Sequence, residues 1–141
     1  MIPLYVLDTD HLSLYGRNHP LVIAQLQAKA NQGQIATTAI NVEEQLRGRL
    51  AQVAEARDGV VLSNAYQRLV ETVMLLSEFQ VLQYDANSHT IYQSLKAQRI
   101  RVGTQDLRIA SIVIAHDGIL LTRNLQDFQK VPNLMIQDWS I

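Results

Sequence analysis

Cysteine is absent from this chain of 141 residues. Its absence excludes disulfide scaffolds, thiolate metal sites and cysteine nucleophiles together, and it fits a reducing compartment. No stretch of the sequence approaches the roughly 20 apolar residues that a membrane span needs, and the amino terminus does not show the basic-then-apolar layout of a secretory signal. We therefore expect a soluble, cytoplasmic protein with no membrane association.

The sequence also lacks an excess of charge of either sign. It has 12 basic and 13 acidic residues and a net charge of -1, so no overall positive field exists to attract nucleic acid. Any such binding must be local, or must use metal ions that reverse the sign of an acidic pocket. By its length, the chain is expected to form one domain, residues 1–141, with a full core.

Several common catalytic patterns are missing as well. The serines lack a nucleophile elbow, and no glycine-rich loop that could cradle phosphates is present. The histidines show no paired metal spacing, so surface or capping roles are expected for His11, His19, His89 and His116.

The first strand of the sequence runs directly into acidic residues. Leu4 to Leu7 is an unbroken apolar run, which is typical of a strand covered on both faces in a parallel sheet. Asp8 follows at the carboxyl end of this strand, the edge where ligands bind in open α/β sheets. Asp8 is therefore placed for chemistry, whereas Asp10 is about equally well explained as the cap of a helix that begins at His11.

Strands and helices alternate along the rest of the chain. Strands are predicted at 35–38, at 79–84 as an outer strand of the sheet, at 119–122 and, as a short edge strand, within 134–141. Helices are predicted at 12–15, 20–30, 42–56, 64–78, 86–101 and 106–115. This alternation predicts right-handed crossovers and an α/β fold, a three-layer α/β/α sandwich around a mainly parallel sheet.

Four polar side chains follow these strands and fall on one rim of the predicted sheet: Asp8, Glu44, Asp106 and Asn124. Carboxylates held together repel one another, and such a cluster persists mainly around a divalent cation. Oxygen ligands with open water positions suit Mg²⁺ or Mn²⁺ better than Zn²⁺. Simpler explanations exist, because Asn41 and Glu44 could form a capping box and Asp106 suits the first turn of a helix.

The sequence resembles the PIN-domain family, and within it the VapC-like endoribonuclease toxins of toxin–antitoxin operons. The resemblance covers nearly the whole chain in order, through Leu7-Asp8-Thr9-Asp10, Ile40 to Gly48, Asp106 to Ala110, Leu121 to Phe128 and the pair Asp138-Trp139. Each motif alone is weak, but together and in order they are specific.

The resemblance implies which residue of each motif belongs to the metal site. Asp8, Glu44 and Asp106 match the acidic metal ligands, with Mg²⁺ or Mn²⁺ as the cofactor. Glu44 is assigned rather than its neighbour because the family's glutamate lies four residues before the glycine matched by Gly48. Asn124 falls at the fourth polar position, where relatives carry aspartate or asparagine, and Asp127 is an alternative metal ligand there.

The implied function is metal-dependent hydrolysis of RNA phosphodiester bonds, in which a bound metal ion lowers the pKa of a water molecule. Thr9 and Thr122, next to the acids, are expected to orient them by hydrogen bonds. Arg99, Arg101 and Arg123 are candidates to hold phosphates, although solvated surface positions are the simpler expectation.

The family further implies a homodimer and a small antitoxin protein that wraps a hydrophobic groove near the early helices. The apolar stripes at 22–26 and 66–73 are candidates for that contact, although core packing is the stronger expectation for both.

Two other functions stay open. A phosphatase or phosphotransferase would use Asp8 as nucleophile and Asp10 as general acid, but the few lysines are poorly placed to hold its phosphate. A catalytically inert PIN-like binding module would keep the fold without cutting RNA, with Asn124 as the sign of a lost ligand. A trapped aspartyl-phosphate would favour the first, and RNA left intact in the presence of Mg²⁺ would favour the second.

Overall fold

A buried strand, β1 (Leu4–Leu7), lies at the centre of the sheet in the computed structural model, which describes residues 2–141. The other strands are β2 (Gln34–Thr38), β3 (Gln80–Leu82), β4 (Ile119–Leu121) and β5 (Met135–Gln137). All pair in parallel in the order β3-β2-β1-β4-β5. The strands predicted at 79–84 and 134–141 are therefore the two edges, as expected.

Helices cover both faces of this sheet. They are α1 (Thr9–Gly16), α2 (Pro20–Lys29), α3 (Ala39–Glu55), α4 (Gly59–Leu76), α5 (Ala86–Ala97), α6 (Thr104–Ala115) and α7 (Leu125–Phe128). Successive side chains of a strand point to opposite faces. Accordingly, Val6 packs in a core cluster with residues of α5 and α6, and Leu7 packs in a second cluster with residues of α1 and α2. The predicted three-layer α/β/α sandwich with a parallel sheet is confirmed.

Two helices begin closer to their strands than the sequence indicated. Helix α1 begins at Thr9, so Asp10 lies in its first turn, and the alternative explanation of Asp10 as the helix cap is wrong. Helix α3 begins at Ala39, because Thr38 keeps an extended backbone and its Oγ1 accepts a hydrogen bond from the Asn41 N–H at 3.2 Å. The expected capping box of Asn41 and Glu44 is therefore wrong, and both side chains are free for other contacts.

Two further helix bounds differ for local reasons. Helix α4 starts at Gly59, five residues before the predicted 64, because the Asp58 carboxylate caps it by accepting from the Val61 N–H at 2.9 Å. Helix α5 begins after Asp85 as predicted, but it ends at Ala97 rather than near 101, and Arg99 then adopts a φ of 56°. Among residues 2–141, no helix combines the length and apolarity that a bilayer span requires.

The two apolar stripes have different fates. Val22 is fully buried and Leu26 is 9% exposed, so the first stripe belongs to the core, as expected. On α4, however, Tyr66, Val70 and Val73 are 52%, 60% and 49% exposed. The expectation of core packing is wrong for this second stripe, which forms an apolar surface.

Candidate active site

The candidate site lies where the central strands end. Strand β1 pairs with β4 in the register Leu7 to Leu121, and Asp8 continues this pairing by donating its N–H to the Leu121 carbonyl at 3.0 Å. Strand β2 runs parallel on the other side of β1 and leads at Thr38 into α3. The carboxyl ends of three neighbouring strands therefore meet at one edge, which is the ligand-binding edge of α/β sheets.

Asp8 is the buried acid at the centre of this edge. Asp8 is only 7% exposed, and each of its carboxylate oxygens accepts a hydrogen bond. Oδ1 accepts from Asn41 Nδ2 at 2.9 Å, and Oδ2 accepts from Thr122 Oγ1 at 2.8 Å. Burial raises the pKa of Asp8, the charge of Asp10 raises it further, and the bonds from Thr122 and Asn41 oppose the shift. Asp8 is thus rigidly oriented in a place that disfavours its charge.

Asp106 lies across the site in the first turn of α6 and is half-buried. Its pKa is raised to about 6, mainly by burial and then by the charges of Asp8, Asp127 and Asp10. These carboxylates therefore lie close enough to repel one another, although they are far apart in the sequence.

Glu44 is the third acid, on the second turn of α3. Burial raises the pKa of Glu44, and the charges of Asp8 and Asp106 raise it further. Thr9 Oγ1 donates a hydrogen bond to Glu44 Oε1 at 3.2 Å, so the orienting contacts expected of Thr9 and Thr122 are both present. Glu43, the neighbouring acid, is exposed and pairs with Arg47 instead, as expected for a solvated side chain.

Asn41 links these acids, which the sequence did not reveal. Its side chain is fully buried, and its Nδ2 donates to Asp8 Oδ1 and also to Thr9 Oγ1 at 3.0 Å. Its Oδ1 accepts from Thr38 Oγ1 at 2.6 Å. One amide therefore orients Asp8 directly and Glu44 through Thr9. A polar residue three positions after the end of a strand was the only signal, and local sequence explained it equally well as a cap.

Asn124, directly before α7, and Asp127, on α7, lie at the outer side of the same edge. The Asn124 N–H donates to Thr122 Oγ1 at 3.0 Å, and its Nδ2 donates to Asp127 Oδ2 at 3.2 Å. The Asp127 side chain is 42% exposed and also pairs with Lys130 at 3.4 Å. Since the charge of Asp127 contributes to the raised pKa of Asp106, Asp127 lies within electrostatic range of the buried acids.

Asp10 is a further acid of this edge. Its Oδ2 accepts from the Arg123 N–H at 2.9 Å, and its Oδ1 lies 2.7 Å from His11 Nδ1. Its position two residues after Asp8 was the sequence signal, but the sequence placed it only in a cap or in a phosphatase pair.

The donors of the site suit a hard divalent cation. They are carboxylate and amide oxygens, which Mg²⁺ and Mn²⁺ prefer. The pKa values of Asp8, Glu44 and Asp106 are raised first by burial and then by the charges of neighbouring acids, and a bound cation would offset both effects. Within residues 2–141, no group of three or more acidic or histidine side chains already has the geometry to hold a metal ion. The carboxylates would therefore have to draw together around it.

A groove with three arginines lies beside the acidic edge, between α1, α3 and α4. It has a volume of about 790 Å³, and its lining includes Arg17, Arg49 and Arg68. Gln45, the residue after Glu44, also lines the groove, and its Nε2 donates to Thr9 O and to Ser13 Oγ, both at 3.4 Å. The arginines that the sequence suggested for phosphate binding, Arg99, Arg101 and Arg123, are all exposed. Their exposure agrees with the simpler expectation of solvated surface positions.

Known proteins of similar sequence and fold were found. A family model described as PIN domain matches residues 5–134. The chain is 27% identical to ribonuclease VapC2 of Rickettsia felis, over 96% of this chain and 98% of that protein. It is 24% identical to the tRNA(fMet)-specific endonuclease VapC of Salmonella typhimurium, over 96% of this chain and 97% of that protein.

Two solved complexes have a similar fold. One is VapBC2 from Rickettsia felis bound to a DNA fragment from its promoter, with a TM-score of 0.79, 25% identity and coverage of 96% of this chain and 98% of that chain. The other is DNA-bound VapBC from Salmonella typhimurium, with a TM-score of 0.78, 21% identity and coverage of 99% of both chains.

Proposed function

The chain belongs to the PIN domain family, and from this we propose that it is a metal-dependent endoribonuclease and the toxin of a toxin–antitoxin pair. The observation that carries the proposal is the meeting of Asp8, Glu44 and Asp106 at one edge of the sheet, each with a raised pKa. The relatives named as ribonuclease and as tRNA endonuclease support RNA as the substrate.

The three acids would hold Mg²⁺ or Mn²⁺. When bound, the ion supplies a water molecule of lowered pKa and offsets negative charge on the scissile phosphate. The chain itself supplies orientation, since Asn41 and Thr122 hold the two oxygens of Asp8. Asn124 and Asp127 complete the polar edge next to the solvent, where RNA can approach.

RNA needs positive charge as well, because its phosphates are repelled by the acidic edge. Arg123 is exposed and directly follows Thr122, so we propose that its guanidinium contacts a backbone phosphate next to the cleaved bond.

The partner would be an antitoxin that covers the apolar surface of α4. Tyr66, Val70, Val73 and Met74 are each between 49% and 63% exposed, and their spacing of three and four residues places them on one helical face. Contiguous exposed apolar side chains of this kind mark protein-binding surfaces. The similar structures are complexes of VapC with VapB, which supports this partner. The homodimer, the single domain of residues 1–141 and the cytoplasmic location stay predictions.

The decisive experiment uses partner-free protein and a matched pair of variants. Structured RNA, including transfer RNA, is incubated with Mg²⁺ or Mn²⁺, and the cut ends are mapped. We expect cleavage by the wild type and by Glu43→Gln, and a loss of at least about 100-fold in Glu44→Gln, because a lost metal ligand removes several kcal/mol of charge stabilisation. Added chelator should stop cleavage.

The alternatives give different results. RNA that stays intact with both metal ions would contradict the nuclease and favour an inert binding module. A phosphatase would form an aspartyl-phosphate on Asp8, but the proposed general acid, Asp10, already accepts hydrogen bonds from the Arg123 N–H and from His11. Trapping of such an intermediate would overturn the nuclease proposal.

A further inference from the structure

His11 is a fully buried histidine that joins α1 to the C-terminal segment. The surface or capping role expected from the sequence is wrong for this residue. Its Nε2 accepts a hydrogen bond from the Trp139 N–H at 3.0 Å. Because Nε2 is the acceptor, the proton of the neutral ring is on Nδ1, which donates to Asp10 Oδ1 at 2.7 Å.

A second acid lies near the ring but does not change this assignment. Asp138 Oδ1 is 3.7 Å from His11 Nε2, which is beyond hydrogen-bond distance. The same oxygen accepts from the Ser140 N–H at 2.7 Å and from Ser140 Oγ at 2.6 Å. The backbone of Trp139 therefore determines which ring nitrogen of His11 carries the proton.

The other oxygen of Asp10 holds the loop that follows β4. Asp10 Oδ2 accepts from the Arg123 N–H at 2.9 Å. Arg123 lies between Thr122, whose hydroxyl donates to Asp8, and Asn124. The Asp10 carboxylate therefore lies between two donors, the His11 Nδ1–H and the Arg123 N–H. Only a side chain with two acceptor oxygens can bond to both. An asparagine at this position could accept from only one of the two.

We propose that His11 is a positioning residue for RNA cleavage. By donating to Asp10, it holds the carboxylate that ties down the loop 122–124, and this loop orients Asp8 and carries Asn124. The C-terminal segment around Trp139 thereby acts on the site through one imidazole ring. The inference rests on the proposed nuclease function for its catalytic consequence, although the hydrogen-bond chain can be tested without activity.

Two substitutions separate the two bonds of the ring. In His11→Asn, the amide can replace Nδ1 and donate to Asp10, but the Trp139 N–H loses its acceptor. In His11→Gln, the longer side chain can accept from the Trp139 N–H, but the donor to Asp10 is lost. Each variant removes one hydrogen bond of the ring: His11→Asn removes the buried bond from the Trp139 N–H, and His11→Gln removes the partly buried bond to Asp10. His11→Asn should therefore lower the melting temperature at least as much as His11→Gln, because it leaves a buried N–H without an acceptor. His116→Gln, at a histidine whose ring bonds the Ile112 carbonyl, is the control.

The expected results differ between the two variants. We expect His11→Gln to lower kcat by about tenfold or more, which is the usual effect of removing an outer hydrogen-bond partner of a metal site. His11→Asn should keep most of the wild-type kcat, because its amide can still donate to Asp10. We also expect the loss in the double variant Asp10→Asn/His11→Gln to equal that of Asp10→Asn alone, because both changes break the same chain of bonds.

Amide hydrogen exchange measures the chain of bonds directly and needs no catalysis. Exchange at the Arg123 amide should speed up in His11→Gln and stay near the wild-type rate in His11→Asn and His116→Gln. Nitrogen NMR of the wild-type ring should show the proton on Nδ1.

Three results would overturn the proposal: equal kcat losses in His11→Asn and His11→Gln, additive losses with Asp10→Asn, or unchanged exchange at Arg123 in His11→Gln. A wild type that does not cut RNA would instead refute the nuclease function, and the exchange rates would still decide whether His11 holds the loop.

Discussion

Replacement of Asp106 by asparagine should stabilise the metal-free protein and abolish its activity. The pKa of Asp106 is raised from 3.8 to about 6, so the ionised form is disfavoured in the folded state. At about 1.4 kcal/mol per pKa unit, the shift corresponds to an upper limit of about 3 kcal/mol. Asp106 is only half-buried, and solvent screening reduces the expected gain to about 1 kcal/mol.

The sign of this effect depends on pH. A raised carboxyl pKa costs nothing below the unfolded value of 3.8, where both states are protonated, and costs its full amount above about 6. The stabilising effect of Asp106→Asn should therefore be complete at pH 7.5 and should shrink as the pH falls from 6 to 4. For a chain of this length, a gain of about 1 kcal/mol is a rise of roughly 3 to 4 °C in melting temperature.

The assay is calorimetry of wild type and variant with a chelator, at pH 7.5 and at pH 4.5. Asp58→Asn is the matched control, because aspartate and asparagine are both good N-cap residues. Asp58 caps α4 and follows the end of the 17-residue helix α3, whose first turns carry Asn41 and Glu44. Added Mn²⁺ should raise the melting temperature of the wild type more than that of Asp106→Asn. A variant that is less stable than the wild type at pH 7.5, or a gain that does not depend on pH, would refute the reasoning that burial and neighbouring carboxylates disfavour the ionised form of Asp106.

Two further predictions concern the contacts of Asp8, and a third concerns the apolar surface of α4. Asn41→Ala should lower the free energy of unfolding by about 2 to 3 kcal/mol in chemical denaturation, because it removes the donor to Asp8 Oδ1 and the acceptor of the Thr38 hydroxyl, both in the buried part of the site; a loss below about 0.5 kcal/mol would contradict the importance of this amide. Asp8→Asn should keep both hydrogen bonds, since the new amide can donate to Thr122 Oγ1, and it should raise stability in chelator while Mn²⁺ binding, measured by titration calorimetry, is lost; retained Mn²⁺ affinity would remove Asp8 from the site. Val70→Asp should change the free energy of unfolding by less than about 0.5 kcal/mol, because the residue is 60% exposed, and it should weaken co-purification with the proposed antitoxin when the two are co-expressed. Undiminished binding would place the partner elsewhere.

The positions of the three acids could be predicted because the pattern that carries them is local. An unbroken apolar run such as Leu4 to Leu7 indicates a strand buried on both faces, and parallel strands put their carboxyl ends on one edge. Asp8, Glu44 and Asp106 were placed at that edge by this reasoning together with the family resemblance, and the structure brings them there. Their roles as metal ligands stay to be tested by the variants above.

The helix starts were harder to predict, because several residues in each place could serve as caps. Thr38 rather than Asn41 caps α3, since Thr38 ends β2 in an extended conformation next to the first turn. The consequence is functional, because it leaves the Asn41 amide free to bond Asp8. Local sequence contains no sign of which of the two polar side chains will face a strand 33 residues earlier.

The sequence by itself determined the order of strands and helices, the parallel sheet and the edge at which acids collect, because apolar periodicity and chain connectivity are properties of neighbouring residues. The tertiary structure alone decided which polar groups meet. His11 became a buried link between Asp10 and Trp139, which are 129 residues apart, and the α4 stripe stayed exposed. Hydrogen bonds and burial of this kind depend on distances between segments that are remote in the sequence, and those distances exist only after the sheet and its helices have packed.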